Sequence, residues 1–317
     1  MPESNPYPAD NAAAAAALAQ ELPPMPAWVP ISRVWSLATI TFTELVRSKV
    51  FYIVAIFGLI VLGSSAFLAQ LTFEEELKVL KDISLGSMSI FTTLLAIAAT
   101  AMLIPNDVED RTLYTILAKP VTRIEYLLGK LGGVFLLIGV LTVIMSLLSS
   151  GVLSFREWQV VMNIKRDMAG SPPEMLQTQL ALIQGHTFTG SFFLGIILIY
   201  IKSCVLATIC LAISTITTST IFTILCTAAV YFIGHVQGTA REFWMSQGGG
   251  NPSLFKKVFL GIVAILFPDL QLFNLSDEIN AGNELPFHVF GITAGWGLFF
   301  IAFYILIGYI IFSKKEL

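Results

Sequence analysis

Lys202 is the one charged side chain well inside a long apolar stretch of this sequence. A lysine at the centre of a membrane helix costs about 2.5–3.5 kcal/mol on insertion scales, so it must face other helices or reach an interface. Two roles fit it: a contact in a substrate path or a polar lock between subunits, or a structural lysine satisfied by a helix carbonyl or a nearby acid. The remaining groups that could do chemistry are sparse. His186, His235 and His288 are isolated, and neither HExxH nor GxSxG occurs. Cys204, Cys210 and Cys226 lie in apolar runs without a CxxC spacing, where a thiol packs as a small hydrophobe. The methionines are scattered with no MxxM cluster, which argues for packing and not for a soft-metal site. A P-loop needs GxxxxGK[ST] so that backbone amides can cradle phosphate. The only Gly-Lys pair, Gly129 and Lys130, is followed by Leu131 and has Ile124 where the first glycine belongs. No catalytic, cofactor-binding or metal-ligating set is therefore expected, and no ATP site.

The chemistry that remains is docking, and it concentrates in residues 105–130. Asn106 or Asp107 can cap a helix, with Asp107, Glu109 and Asp110 in its positively polarised first turn. Leu113, Ile116 and Leu117 recur at helical spacing, Lys119 lies near the negative end, and Pro120 forces a break. Thr122 and Glu125 then form a capping-box pair, with Val121 and Tyr126 placed as a hydrophobic staple for the next helix. The outcome expected is a short amphipathic helix across the ends of two spans. It is either a lever that seats in a partner's groove or an ordinary interfacial helix resting on lipid headgroups.

The elements that must position these residues are membrane helices. Only 12% of the 317 residues are charged and 56% are hydrophobic, with a mean hydropathy of +0.79; a soluble chain carries about 25% charge. Long apolar runs occupy 50–69, 85–104, 131–153, 192–213, 220–235 and 290–312. A spanning helix needs about 20 such residues, and the runs lack the alternation of barrel strands. The fold class expected is an all-α integral membrane protein with six transmembrane helices. Net charge is −3 and no long basic run exists, so nucleic acid is not an expected partner.

Basic residues flank spans on the cytoplasmic side. Arg33, Arg47 and Lys49 precede the first run, Arg111, Lys119, Arg123 and Lys130 follow the second, and Lys314 and Lys315 close the chain. Both termini are thus expected in the cytoplasm. Arg156, Lys165, Arg166, Arg241, Lys256 and Lys257 then fall on the outer side, in long connections that the rule discounts. Residues 214–220 leave room only for a tight turn. Residues 257–267, stopped by Pro268, are too short to span and predict an interfacial or re-entrant helix, a lid over the outer end of the bundle.

Residues 1–30 carry prolines, scattered acids and an alanine tract without a basic region before an apolar core; a disordered tail is expected there and not a signal peptide. Residues 31–317 form the membrane domain. Ahead of the first span, Trp35, Ala38, Phe42 and Leu45 share one helical face and Arg33, Glu44, Arg47 and Ser48 the other. That pattern predicts an amphipathic elbow helix along the inner headgroups, in which Glu44 and Arg47 can pair.

The chain resembles membrane permease subunits of ATP-binding-cassette (ABC) transporters of the type-2 exporter class, and especially the branch of the nitrous-oxide reductase maturation permease. The residues that carry the resemblance are Thr41, Phe42, Glu44, Leu45 and Arg47 before the first span, and "EDRTLYTILAKPVTRIEYLLGK" at 109–130. The hydroxyl-rich turn 214–220, "FPDLQLFNL" at 267–275 and the closing "FSKKEL" add to it. By that resemblance 109–119 would be the cytoplasmic coupling helix, with Glu109, Arg111 and Leu113 touching an ABC ATPase subunit and Lys119 and Pro120 ending the lever. It implies a second permease copy and ATP hydrolysis in a separate subunit, in the cell inner membrane. Two other classes compete. A membrane scaffold or assembly factor would keep the docking segment without moving a solute. An ion-coupled carrier would want several intramembrane acids, where the spans offer only Lys202.

Overall fold

In the computed structural model the protein is described over residues 29–69, 76–109, 122–167, 190–217, 219–246, 261, 263, 266–274 and 286–314. Within these residues the regular structure is helical, as it must be where lipid offers backbone groups no partner. The helices are α1 (Val29–Val46), α2 (Lys49–Ala69), α3 (Glu76–Glu109), α4 (Arg123–Asp167), α5 (Gly190–Ile216), α6 (Thr220–Ser246) and α7 (Phe287–Lys314). Five helices are long and apolar enough to cross a bilayer by themselves, and the bent pair α1 and α2 makes a sixth when counted as one broken span. All six apolar runs lie within helices α2 to α7.

Several boundaries follow from local chemistry. The bend between α1 and α2 is 67°. It falls at Arg47 and Ser48, where the Ser48 hydroxyl accepts the Phe51 N–H at 3.3 Å and restarts the helix. The turn between α5 and α6 is as short as expected: Ser219 receives the Thr223 N–H on its carbonyl at 3.1 Å. At the start of α4 the capping box forms as predicted. The Thr122 N–H donates to Glu125 Oε2 at 2.7 Å and the Glu125 N–H to Thr122 Oγ1 at 3.3 Å.

We call the end of the bundle that gathers Asp107, Arg123 and Ser313 basal, and the opposite end distal. α5 is the most buried span and stands at the centre, while α6 and α7 are mostly uncovered. Leu85, Met88, Leu95, Leu137, Leu141 and Ile196 join α3, α4 and α5 in the main core. The third expected connection begins as helix: α4 runs on to Asp167 and has 45 residues, about 68 Å at 1.5 Å per residue, well beyond a hydrocarbon core of about 30 Å. Arg156 is buried on this extension and donates to Gln159 Oε1 at 2.9 Å.

Two elements depend on close approach to glycines of other helices. α1 packs along α4 through Ala38, Thr41 and Leu45, all buried, but Trp35 is 61% exposed. A Cβ on Gly133 would come within 2.6 Å of Thr41 Cβ and 2.8 Å of the Ala38 carbonyl. α1 therefore rests on a glycine surface that a bulky aromatic cannot enter. The second is residues 266–274, which form a wedge; most of the helix expected over 257–267 lies outside the described residues. Asp269 Oδ1 accepts the Gln271 N–H at 3.2 Å and caps a 3₁₀ turn, Leu270–Phe273. The turn is inserted between α6 and α7: Leu270 and the Pro268 carbonyl lie against Gly234, and Phe273 against Gly297. The Tyr304 hydroxyl donates to the Leu266 carbonyl. Tyr304 lies about 26 Å along α7 from its first residue, so the segment is re-entrant.

Candidate functional site

The basal end is built around one carboxylate. α3 does not stop at Pro105 but continues to Glu109, so Asp107 caps no new helix; it is a buried residue of the last turn of α3, only 6% exposed. Its partners come from α4. Lys130 Nζ lies 2.9 Å from Asp107 Oδ1 and 2.7 Å from Oδ2, and the Tyr126 hydroxyl donates to Oδ2. Lys130 also approaches Glu44 of α1, at 3.7 Å. Glu44 thus turns toward α4 and not toward Arg47, which stays exposed at the α1–α2 break.

A buried ion pair is held only if its remaining lone pairs and protons find partners. Asp107 meets that condition with an ammonium and a phenol. Tyr126, expected as a staple against Val121, is fully buried and stacks on Phe312 of α7 with ring centroids 5.8 Å apart; Val121 lies outside the described residues. Arg123 completes the frame. Its Nη1 donates to the Phe312 and Ser313 carbonyls, both at 2.8 Å, where unpaired helix carbonyls and the dipole favour a cation. Four helices, α1, α3, α4 and α7, are therefore tied together around the two ends of the 110–121 connection.

Of the residues expected to touch a partner, Glu109 is exposed on the final turn of α3. Arg111, Leu113, Lys119 and Pro120 lie outside the described residues. Asp107, Tyr126 and Lys130 are the residues that sequence reasoning missed as a set. The available signal was a lysine inside the otherwise apolar and glycine-rich start of a span, which had to find an acid on a neighbouring helix.

Lys202 is a second polar site, in mid-bundle. It is 2% exposed, donates to Ser89 Oγ of α3 at 2.6 Å and lies 5.9 Å from the Tyr231 ring centroid of α6. One turn of hydroxyls adjoins it, with Ser203 Oγ donating to Thr92 Oγ1 at 2.9 Å. His235 packs on Tyr231 at 5.1 Å. The lysine faces the bundle as expected. Its observed partners are a hydroxyl and an aromatic face, neither a carbonyl nor an acid. This arrangement can hold a cation and zip α3 to α5. Among the described residues no group of three or more His, Cys, Asp or Glu side chains could hold a metal ion.

Comparison with known proteins agrees with a membrane machine of this shape. No curated protein matches the sequence. Residues 35–317 match the family described as ABC-2 family transporter protein, a span that takes in every helix from the middle of α1 to the end of α7 as well as the 110–121 connection. With the multi-pass helical bundle, that match makes the chain a permease component, and it belongs to the ABC-2 family of transporter proteins.

Proposed function

We propose that the chain is the membrane-spanning half of an ATP-driven exporter, paired with a second permease copy and driven by a separate ABC ATPase. The basal end faces the cytoplasm of a cell whose inner membrane holds the protein, and residues 109–119 form the coupling helix. The kinship of 109–130 with the nitrous-oxide reductase maturation branch belongs to the same reading. One observation carries it above the others: the connection that would dock is flanked on both sides by a rigid, cross-tied frame. Displacement of 110–121 by a partner is passed by Asp107 and Lys130 to α3 and α4 together. From Lys130 it reaches Glu44 and hence α1, and from Arg123 it reaches the end of α7.

Mild-detergent isolation of the tagged protein, with mass spectrometry and ATPase assay of the eluate, tests this. A stoichiometric P-loop ATPase is expected, and it should be lost when 110–118 is deleted while Asp107 is kept. An eluate with no nucleotide-binding subunit overturns the reading in favour of a scaffold. Charge reversal at Arg111 should leave insertion and ATPase activity intact and abolish transport in sealed vesicles; normal coupling in that variant removes Arg111 from the docking surface.

A further inference from the structure

The wedge between α6 and α7 encloses a cavity of about 210 Å³ whose walls differ sharply in character. Phe273, Trp296 and Phe300 make it largely apolar, and three polar groups line the rest: Gln237, Asp269 and Thr293. Gln237 is 8% exposed, and its Oε1 is buried without a donor. Asp269 is also 8% exposed and already caps the 3₁₀ turn, so it contributes negative potential whatever else it binds. Trp296 and Phe300, which both line the cavity, have ring centroids 6.3 Å apart at 35°.

We propose that this cavity binds the ammonium headgroup of an amphiphile whose tail lies in the bilayer. An orphan carbonyl oxygen beside a carboxylate asks for a donor with positive charge, and aromatic faces favour the same sign. An anion would meet Asp269 unfavourably, and a plain hydrocarbon would leave Gln237 Oε1 unpaired. The volume lies below the range of about 300–1,000 Å³ that holds whole drug-sized ligands; it suits a headgroup and its first few methylenes. Leu272 and Trp296, 48% and 52% exposed, flank the mouth, so the remainder of the molecule leaves toward lipid.

The purified full chain in neutral maltoside micelles is titrated with dodecylammonium and separately with dodecanol, reading the thermal unfolding midpoint. Dodecylammonium should raise the midpoint at a concentration about tenfold lower than the alcohol, the worth of one charge-assisted hydrogen bond. Gln237→Leu should abolish the preference, and Gln237→Glu should keep it. If Gln237→Leu does not fold, Thr293→Val decides, with a weakened preference expected. Equal stabilisation by the alcohol, or a preference that survives both substitutions, overturns the proposal. Lipid analysis of the purified protein separates the two sources of the same chemistry. Phosphatidylethanolamine retained by the native chain and lost from Gln237→Leu makes the ligand a bilayer lipid; amine binding without retained lipid makes it a free amphiphilic amine. The assay uses neither ATP nor a partner, so its failure and that of the coupling reading are distinguishable.

Discussion

Asp107 is a carboxylate in a bundle of apolar helices, and it tolerates burial because Lys130 and Tyr126 both reach it. Removing one member strands the other, which costs about 3–5 kcal/mol for a buried pair. Lys130→Met should therefore lower the unfolding midpoint strongly, and Asp107→Asn with Lys130→Met should recover most of the loss. Additive losses in that double-variant cycle would mean that the two side chains are not coupled. Lys202 behaves differently, because the Ser89 hydroxyl and the Tyr231 ring that meet it are neutral. Replacing a buried cation by a packed apolar chain is often neutral or stabilising. Lys202→Met should leave the midpoint unchanged or raised, whereas Ser89→Ala, which removes the acceptor of a buried charge, should cost about 1–3 kcal/mol. If folded Lys202→Met also transports normally, the lysine has no place in a substrate path.

Among elements, α1 and α4 depend on a backbone approach that side chains cannot replace. An added Cβ on Gly133 meets the backbone of α1 as well as Thr41. Overpacking of this kind typically costs about 1–3 kcal/mol, so Gly133→Ala should destabilise the protein. Gly151, on the same helix, has nothing within 4 Å of an added Cβ. Gly151→Ala should stabilise by about 0.5–1 kcal/mol through helix propensity. Equal responses of the two glycines in a thermal melt would refute the contact. The same approach shapes mechanism, for α1 seats Glu44 beside Lys130 only because it lies this close to α4.

At the scale of the whole molecule, six spans place the basal end of α3 and the end of α7 on one side of the membrane. Glu109 and Ser313 are exposed at that end, and Phe287 is 80% exposed at the other. Single cysteines at these positions, in a Cys226→Ser background, report the orientation. The membrane-impermeant maleimide should label position 287 in intact cells, and positions 109 and 313 only after permeabilisation. Labelling of 109 in intact cells would place the docking segment outside and end the coupling proposal. The native Cys204 and Cys210 are buried and should stay silent.

The sequence by itself determined what is local. Uninterrupted apolar runs dictate membrane helices because backbone groups in lipid have no other partner. The Thr122 and Glu125 capping box and the tight turn near 217 were legible because each involves residues a few positions apart. Arg111, Leu113, Lys119 and Pro120, which we propose as docking residues, lie outside the described residues. What only the tertiary structure decided is which polar side chains share a burial. Asp107 was read as a cap because its true partners lie 19 and 23 residues away, and Lys202 meets Ser89 across 113 residues. Periodicity put Trp35, Ala38, Phe42 and Leu45 on one face, but not that Ala38 and Leu45 are buried while Trp35 stays exposed. The wedge at 266–274 shows the same limit. The length of 257–267 and Pro268 excluded a span and left interfacial and re-entrant placements open, whereas the entry of 266–274 belongs to Gly234 and Gly297, residues of other helices whose missing side chains leave the room.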